Sequence, residues 1–195
     1  MTEQPPAFGA LARQRRSNLR IDPDRAVEPA ILEALIATAT TAPNHHRTNP
    51  WRFRIITGEG RRGLGAALAG ELAEDMVGDA DDPVRAAKVA KARSKYLRAP
   101  VMLAVASRTG PDPISTIENR DAVAAAIQTL LLAATEAGLA SLWSTGAAVT
   151  SPAVARFCRF DPTDAVVGLI YLGWPTENLG PVERPPAEII HIDRA

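Results

Sequence analysis

A fold of the α+β or mixed α/β class, built around about four central strands, is what this sequence predicts, and three observations carry it. Residues 100–107, 139–145 and 166–172 are short apolar runs of strand length bounded by Pro, Gly or Ser. Residues 53–57 add a strand whose side chains alternate, Phe53, Ile55 and Thr57 against Arg52, Arg54 and Ile56. Between these runs lie segments with helical periodicity and helix-boundary signals. No internal repeat and no domain boundary stand out, so the chain is expected to be one domain, residues 1–195, whose last part, 176–195, is an extended tail.

Taken in order, residues 11–16 read as the end of a short helix that breaks before Ile21-Asp22-Pro23. Pro29 at a first-turn position opens the next helix, with Ile31, Leu32, Leu35 and Ile36 on its apolar side. It must stop near Ala42, because Pro43 disfavours helical geometry in the residue before it. Residues 44–49 form a polar loop, and Gly58 ends the alternating strand that follows.

Two amphipathic helices are expected at residues 63–76 and 83–98, separated by a Gly- and Asp-rich stretch. Residues 110–113 read as a loop. Residues 121–137 read as an almost wholly apolar helix suited to a central place, stopped by Gly138. Ser151-Pro152 signals a helix N-terminus, Ser151 capping and Pro152 following it. The Pro-rich tail ends in Glu188-Ile-Ile-His-Ile192, a lone strand with no core of its own, which suggests that it wraps around a partner subunit.

Composition limits the function. Of 195 residues, 46% are apolar and 23% charged, with 22 basic and 22 acidic side chains, ordinary for a soluble domain. A balanced charge argues against a nucleic-acid or membrane-surface partner, though a local basic patch can still hold a phosphate. The longest apolar stretch, 122–134, is interrupted by Gln128 and Thr129 and is shorter than the roughly 20 residues a bilayer span needs. With no signal-peptide pattern and a single cysteine, Cys158, read as packing, a cytoplasmic location is expected.

Three polar clusters interrupt the packing pattern. Arg13, Arg15, Arg16, Ser17 and Arg20 crowd a helix end; they are either a solvated basic face or a bidentate, charge-assisted grip on a phosphate. The loop between Pro43 and Pro50 carries His45, His46, Arg47 and two asparagines, a solvated turn or a set of hydrogen-bonding groups for a heterocycle's polar edge. His45 and His46 are adjacent with no cysteine or carboxylate nearby in sequence, so no metal site is expected. Ser144, Thr145 and Gly146 close a predicted strand, where mixed sheets commonly place ligands. Glycine-rich nucleotide loops and hydrolase motifs are missing, and His191 has no nucleophile beside it in sequence.

In this order and spacing, Arg15-Arg16-Ser17, Ala42-Pro43 through Pro50-Trp51-Arg52-Phe53, Trp143-Ser-Thr-Gly146 and Val166 through Pro175 resemble the nitroreductase family of FMN enzymes, closest to its compact YdjA-like branch. The resemblance covers about residues 10–176. It implies a three-layer α-β-α sandwich with a central mixed sheet, and a homodimer whose C-terminal strands swap. It also implies FMN bound between subunits, with Arg15, Arg16 and Ser17 on its phosphate and ribityl chain. His45 and Asn49 of the other subunit would meet the flavin or ribityl edge, and Ser144, Thr145 and Gly146 would close the phosphate side. The implied reaction is ping-pong: NADH or NADPH gives hydride to flavin N5, and a small electron-poor acceptor such as a nitroaromatic or quinone takes it, with no side chain assigned as catalytic acid or base. The alternative is a non-catalytic flavin-binding or redox-sensing dimer. Three positions depart from the family pattern: Leu19 stands where a basic residue is common, Asn49 where the loop usually has Gln, and Arg47 where many relatives carry Asn.

Overall fold

The computed structural model describes residues 7–76, 82–180 and 182–192. Its helices are α1 (Ala7–Gln14), α2 (Pro29–Ala39), α3 (Glu59–Asp75), α4 (Pro83–Ser94), α5 (Pro113–Glu136) and α6 (Pro152–Phe157). Its strands are β1 (Trp51–Thr57), β2 (Val101–Ser107), β3 (Ala140–Ser144) and β4 (Ala165–Gly173), in the sheet order β1-β2-β4-β3.

The sheet is the middle layer of three. Successive side chains of a strand point to opposite faces, and on β2 this sends Met102, Ala104 and Ala106 into one core and Val101, Leu103 and Val105 into the other. The first core is closed by Leu64 and Leu68 of α3, Val154 of α6 and Tyr96 just after α4. The second is closed by Leu32 and Leu35 of α2 and by Val123, Ile127 and Leu130 of α5. Both faces are therefore covered, which is why β2 and β4 read as continuous apolar runs instead of alternating ones.

The expected mixed sheet is corrected. Among the described residues all strand pairs, β1 with β2, β2 with β4 and β3 with β4, are antiparallel, and parallel pairing is confined to an isolated bridge between Ser17 and Ser141. An apolar run reports that both faces of a strand are buried, not which way its neighbour runs. Residues 188–192, expected to form a strand against a partner subunit, carry no strand pairing within the single chain. That segment has no assigned secondary structure and is exposed, with Ile189, Ile190 and Ile192 at 73%, 74% and 86% exposure.

Helix ends follow local chemistry. Ser151 accepts a hydrogen bond from the Val154 amide, as its capping pattern predicts, and Gly138 takes the left-handed φ of 76° that terminates α5. The start of α5 departs from expectation by eight residues. Asp112 accepts from the Ser115 amide and Pro113 occupies the first turn, so the stretch read as a loop is a cap. The β2–β4 register slips at Val105/Ala106, opposite Gly168. The Trp143 indole lies across this glycine and donates to the Val167 carbonyl at 3.3 Å; a Cβ at 168 would stand 2.0 Å from its Nε1. Gly168→Ala is therefore expected to expel the indole and cost about 1–3 kcal/mol as overpacking, read as a lower denaturant midpoint with altered tryptophan fluorescence.

Cys158 is buried in the first core, and burial pushes its thiol up to about 11 against a smaller lowering by Arg54. The thiolate is the reactive form. Iodoacetamide at neutral pH is accordingly expected to leave the native protein unlabelled and to alkylate the unfolded chain; rapid native labelling would contradict the packing role.

Candidate functional site

The first cluster runs along β3, the edge strand that ends in the third. After α1 the chain turns along β3: Ser17 bridges Ser141, and the Asn18 amide donates to the Ser141 carbonyl at 2.9 Å. Ser17 thus sits beside the strand that ends in Ser144, with Thr145 and Gly146 exposed just beyond.

The arginines before Ser17 are bound to the tail. Arg16 Nη1 donates to the Gly180 carbonyl at 2.5 Å, and Arg184 Nη2 donates to the Arg15 carbonyl at 2.8 Å. Further along, the Asp22 amide donates to the Trp174 carbonyl, the Thr176 amide to the Arg20 carbonyl, and Arg20 lies 3.6 Å from the Glu177 carboxylate. Residues 15–22 are therefore interlocked with residues 174–180 and with Arg184.

Unlike Arg20, the arginines beside Ser17 carry positive charge without a matching carboxylate among the described residues. Burial, and secondarily the Arg184 guanidinium, push the Arg15 pKa below its ordinary value. Among the described residues no carboxylate pairs with Arg15, Arg16 or Arg184, and Arg16 Nε is buried with no hydrogen-bond partner. A buried N–H left unmade is costly, and cations that crowd one another repel. An anion with several acceptor oxygens would relieve both. Arg184 was not singled out from the sequence, because in a Pro-rich tail nothing marks it as a neighbour of residue 15.

The second cluster lies elsewhere. His45–Arg47 form a single 3-10 turn ahead of β1, the opposite edge strand. Two strands separate β1 from β3, so these edges are about 14 Å apart at ordinary strand spacing. Within one chain His45 and Asn49 do not join Arg15, Arg16 and Ser17.

The loop is tightly held. His46, Arg47 and Asn49 adopt φ of 54°, 53° and 46°, a left-handed conformation unusual for non-glycine residues. Asn119, 3% exposed, anchors the loop by accepting from Thr48 Oγ1 at 2.6 Å and donating to the Arg108 carbonyl at 3.0 Å. Asn49 uses its amide locally, accepting from Asn44 at 3.3 Å and donating to the Arg47 carbonyl at 3.1 Å. His45 stacks on His46 with ring centroids 3.9 Å apart, and its Nδ1 lies 2.9 Å from Glu118. The sequence put no carboxylate near these histidines; the early start of α5 supplies Glu118. Among the described residues there is still no group of three His, Cys, Asp or Glu side chains placed to hold a metal ion. No described helix is long and apolar enough to cross a membrane.

Comparison with known proteins identifies the arrangement. The profile of the Nitroreductase family matches residues 12–174. The chain is 30% identical over 156 residues, 77% of its own length and 81% of the other's, to the "Putative NAD(P)H nitroreductase YdjA" of Escherichia coli strain K12. Its backbone superposes on a nitroreductase-like family protein from Bacillus cereus with a TM-score of 0.80 at 26% identity, covering 97% of this chain and 99% of that one. A Desulfovibrio desulfuricans protein, described as a putative nitroreductase in complex with FMN, superposes with a TM-score of 0.70 at 21% identity, covering 93% and 94%. With the family profile matching residues 12–174 and a 30% identical relative matched over 77% of this chain, the chain belongs to the nitroreductase family of oxidoreductases.

Proposed function

We propose that this chain acts as one domain with a wrapping tail, forms a homodimer, and holds FMN between its two copies as an NAD(P)H-dependent oxidoreductase. The observation that carries the reading is the arginine cluster without an anion: Arg15 depressed by burial and by Arg184, and Arg16 Nε buried without a partner, both next to Ser17. These donors fit a phosphate, which accepts bidentate, charge-assisted bonds from guanidinium groups. The FMN complex of the Desulfovibrio relative, which has the same fold, agrees with that choice of ligand.

Arg15, Arg16, Ser17 and the tail residue Arg184 would grip the phosphate, with Ser144, Thr145 and Gly146 closing the same side. His45 and Asn49 would come from the second copy, since within one chain they lie on the far edge of the sheet. With its Nδ1 turned to Glu118, His45 keeps Nε2 free to face the flavin or ribityl edge. Asn49, occupied by Asn44 and the Arg47 carbonyl, would reach the ligand through a bridging water. FMN held there would supply the redox chemistry, hydride transfer between NADH or NADPH and a small electron-poor acceptor such as a nitroaromatic or quinone.

The test is the purified protein's visible spectrum, followed by anaerobic stopped-flow mixing with NADH and with NADPH. A yellow protein that bleaches on mixing and recovers with an acceptor supports the reading. One that holds FMN but stays oxidised is a binder, and a colourless protein that FMN cannot reconstitute overturns the assignment.

A further inference from the structure

The chain has three lysines, and all three lie within eight residues: Lys88, Lys91 and Lys95. The other 19 of its 22 basic residues (22 less 3) are arginines. Lys88 and Lys91 are one helical turn apart on α4, and Lys95 follows Lys91 by four residues, at the first position of the 3-10 turn Lys95–Arg98. Spacings of three and four place side chains on one face of a helix. Arg98 falls three residues after Lys95, one residue-repeat of a 3-10 turn, where side chains eclipse.

The face is strongly cationic and unneutralised. No Asp or Glu occurs in residues 83–98, and among the described residues no ion pair includes any of the three lysines. Lys88 and Lys91 are exposed, whereas Lys95 is half-buried with its Nζ 5.5 Å from the centre of the Tyr96 ring. If positive charge alone were required here, arginine would supply it, as it does everywhere else in this chain. What lysine adds is an amine that can lose its proton and become a nucleophile.

From this convergence we propose that Lys95, flanked by Lys91 and Arg98, is an acylation site for acyl phosphates, and that acylation on this helix face is how the chain's surface charge is switched. The flanking cations attract the phosphate of the incoming reagent and stabilise it as it leaves. Burial, with a smaller contribution from Lys91, lowers the Lys95 pKa, which raises the share of free amine. The neutral Nζ attacks the acyl carbon, an amide N–C bond forms, the C–O bond to phosphate breaks, inorganic phosphate departs with the bonding pair, and the excess proton on nitrogen passes to solvent. Nothing is oxidised or reduced. Each event removes one positive charge, and because every lysine is here, lysine acylation anywhere in the chain falls on this one face. The inference is independent of the flavin site.

The experiment treats the intact protein with acetyl phosphate at neutral pH and measures initial rates at each lysine by peptide mass spectrometry, using exposed Lys88 as the internal reference. Lys95 is expected to react severalfold faster than Lys88. Lys91→Gln should bring the two rates towards parity, Lys91→Arg should keep the preference, and acetic anhydride, whose leaving group is not a phosphate, should show a smaller one. A Lys95 rate equal to or below that of Lys88, an unchanged ratio in Lys91→Gln, or the same preference with both reagents would overturn the proposal.

Discussion

Replacing Arg15 and Arg16 together with alanine is expected to strip the protein of FMN. Each lost charge-assisted hydrogen bond is worth about 1.5–3 kcal/mol, so removing two raises the dissociation constant by roughly two to four orders of magnitude. The sign follows from what the cluster lacks. With no carboxylate partner among the described residues, the arginines lose no internal ion pair when truncated; Arg16 gives up its bond to the Gly180 carbonyl, offset by relieved repulsion, and the apoprotein is expected to hold its fold. Arg184→Ala, which removes the group that crowds Arg15, should weaken FMN by roughly one to two orders of magnitude by the same arithmetic. Ultrafiltration of reconstituted protein, with free flavin quantified by fluorescence, measures both, and circular dichroism confirms the fold. Undiminished retention in the double variant would remove the arginines from the phosphate role.

Much of this architecture was readable beforehand because it rests on local rules. Pro29, Gly138 and Ser151-Pro152 act on their own backbones, and β2 and β4 announce themselves by burial on both faces. What escaped depends on contacts distant in sequence. Asp112-Pro113 contains two turn-forming residues and reads as a loop until the Ser115 amide that donates to Asp112 is seen; with the helix begun late, Glu118 and the buried Asn119 could not be recognised as the anchors of the histidine loop. Arg184 is 169 residues from its partner, a separation no local pattern reports. The histidine and arginine clusters were each visible as polar interruptions. That they occupy opposite edges of one sheet follows only from the strand order, and that order is what turns a two-cluster site into an argument for two chains.

Cutting the chain before Glu188 tests that argument. Ile189, Ile190 and Ile192 stand almost fully in water in the single chain, and burying a large aliphatic side chain is worth about 1.5–3 kcal/mol. Three of them give about 4.5–9 kcal/mol per tail as an upper figure, since the free tail hides part of its surface already. A twofold pair exchanges two tails. The natural receptor is an open strand edge: β1 has a single neighbour and leaves Ile55 at 43% exposure, and a strand added there in parallel would supply the mixed sheet that one chain lacks. Tail and arginines are also joined, through Arg16 to Gly180 and Arg184 to Arg15, so a tail seated on a second copy steadies the groups proposed for the phosphate, and by linkage a bound phosphate steadies the tail. The truncated protein is therefore expected to sediment as a monomer at concentrations where the full chain is dimeric, and to release flavin along with its partner. A truncated protein that remains a yellow dimer would place the subunit contact elsewhere, most directly on the exposed Ile114 and Ile117 of α5, and would reduce the tail to a surface strap on its own chain.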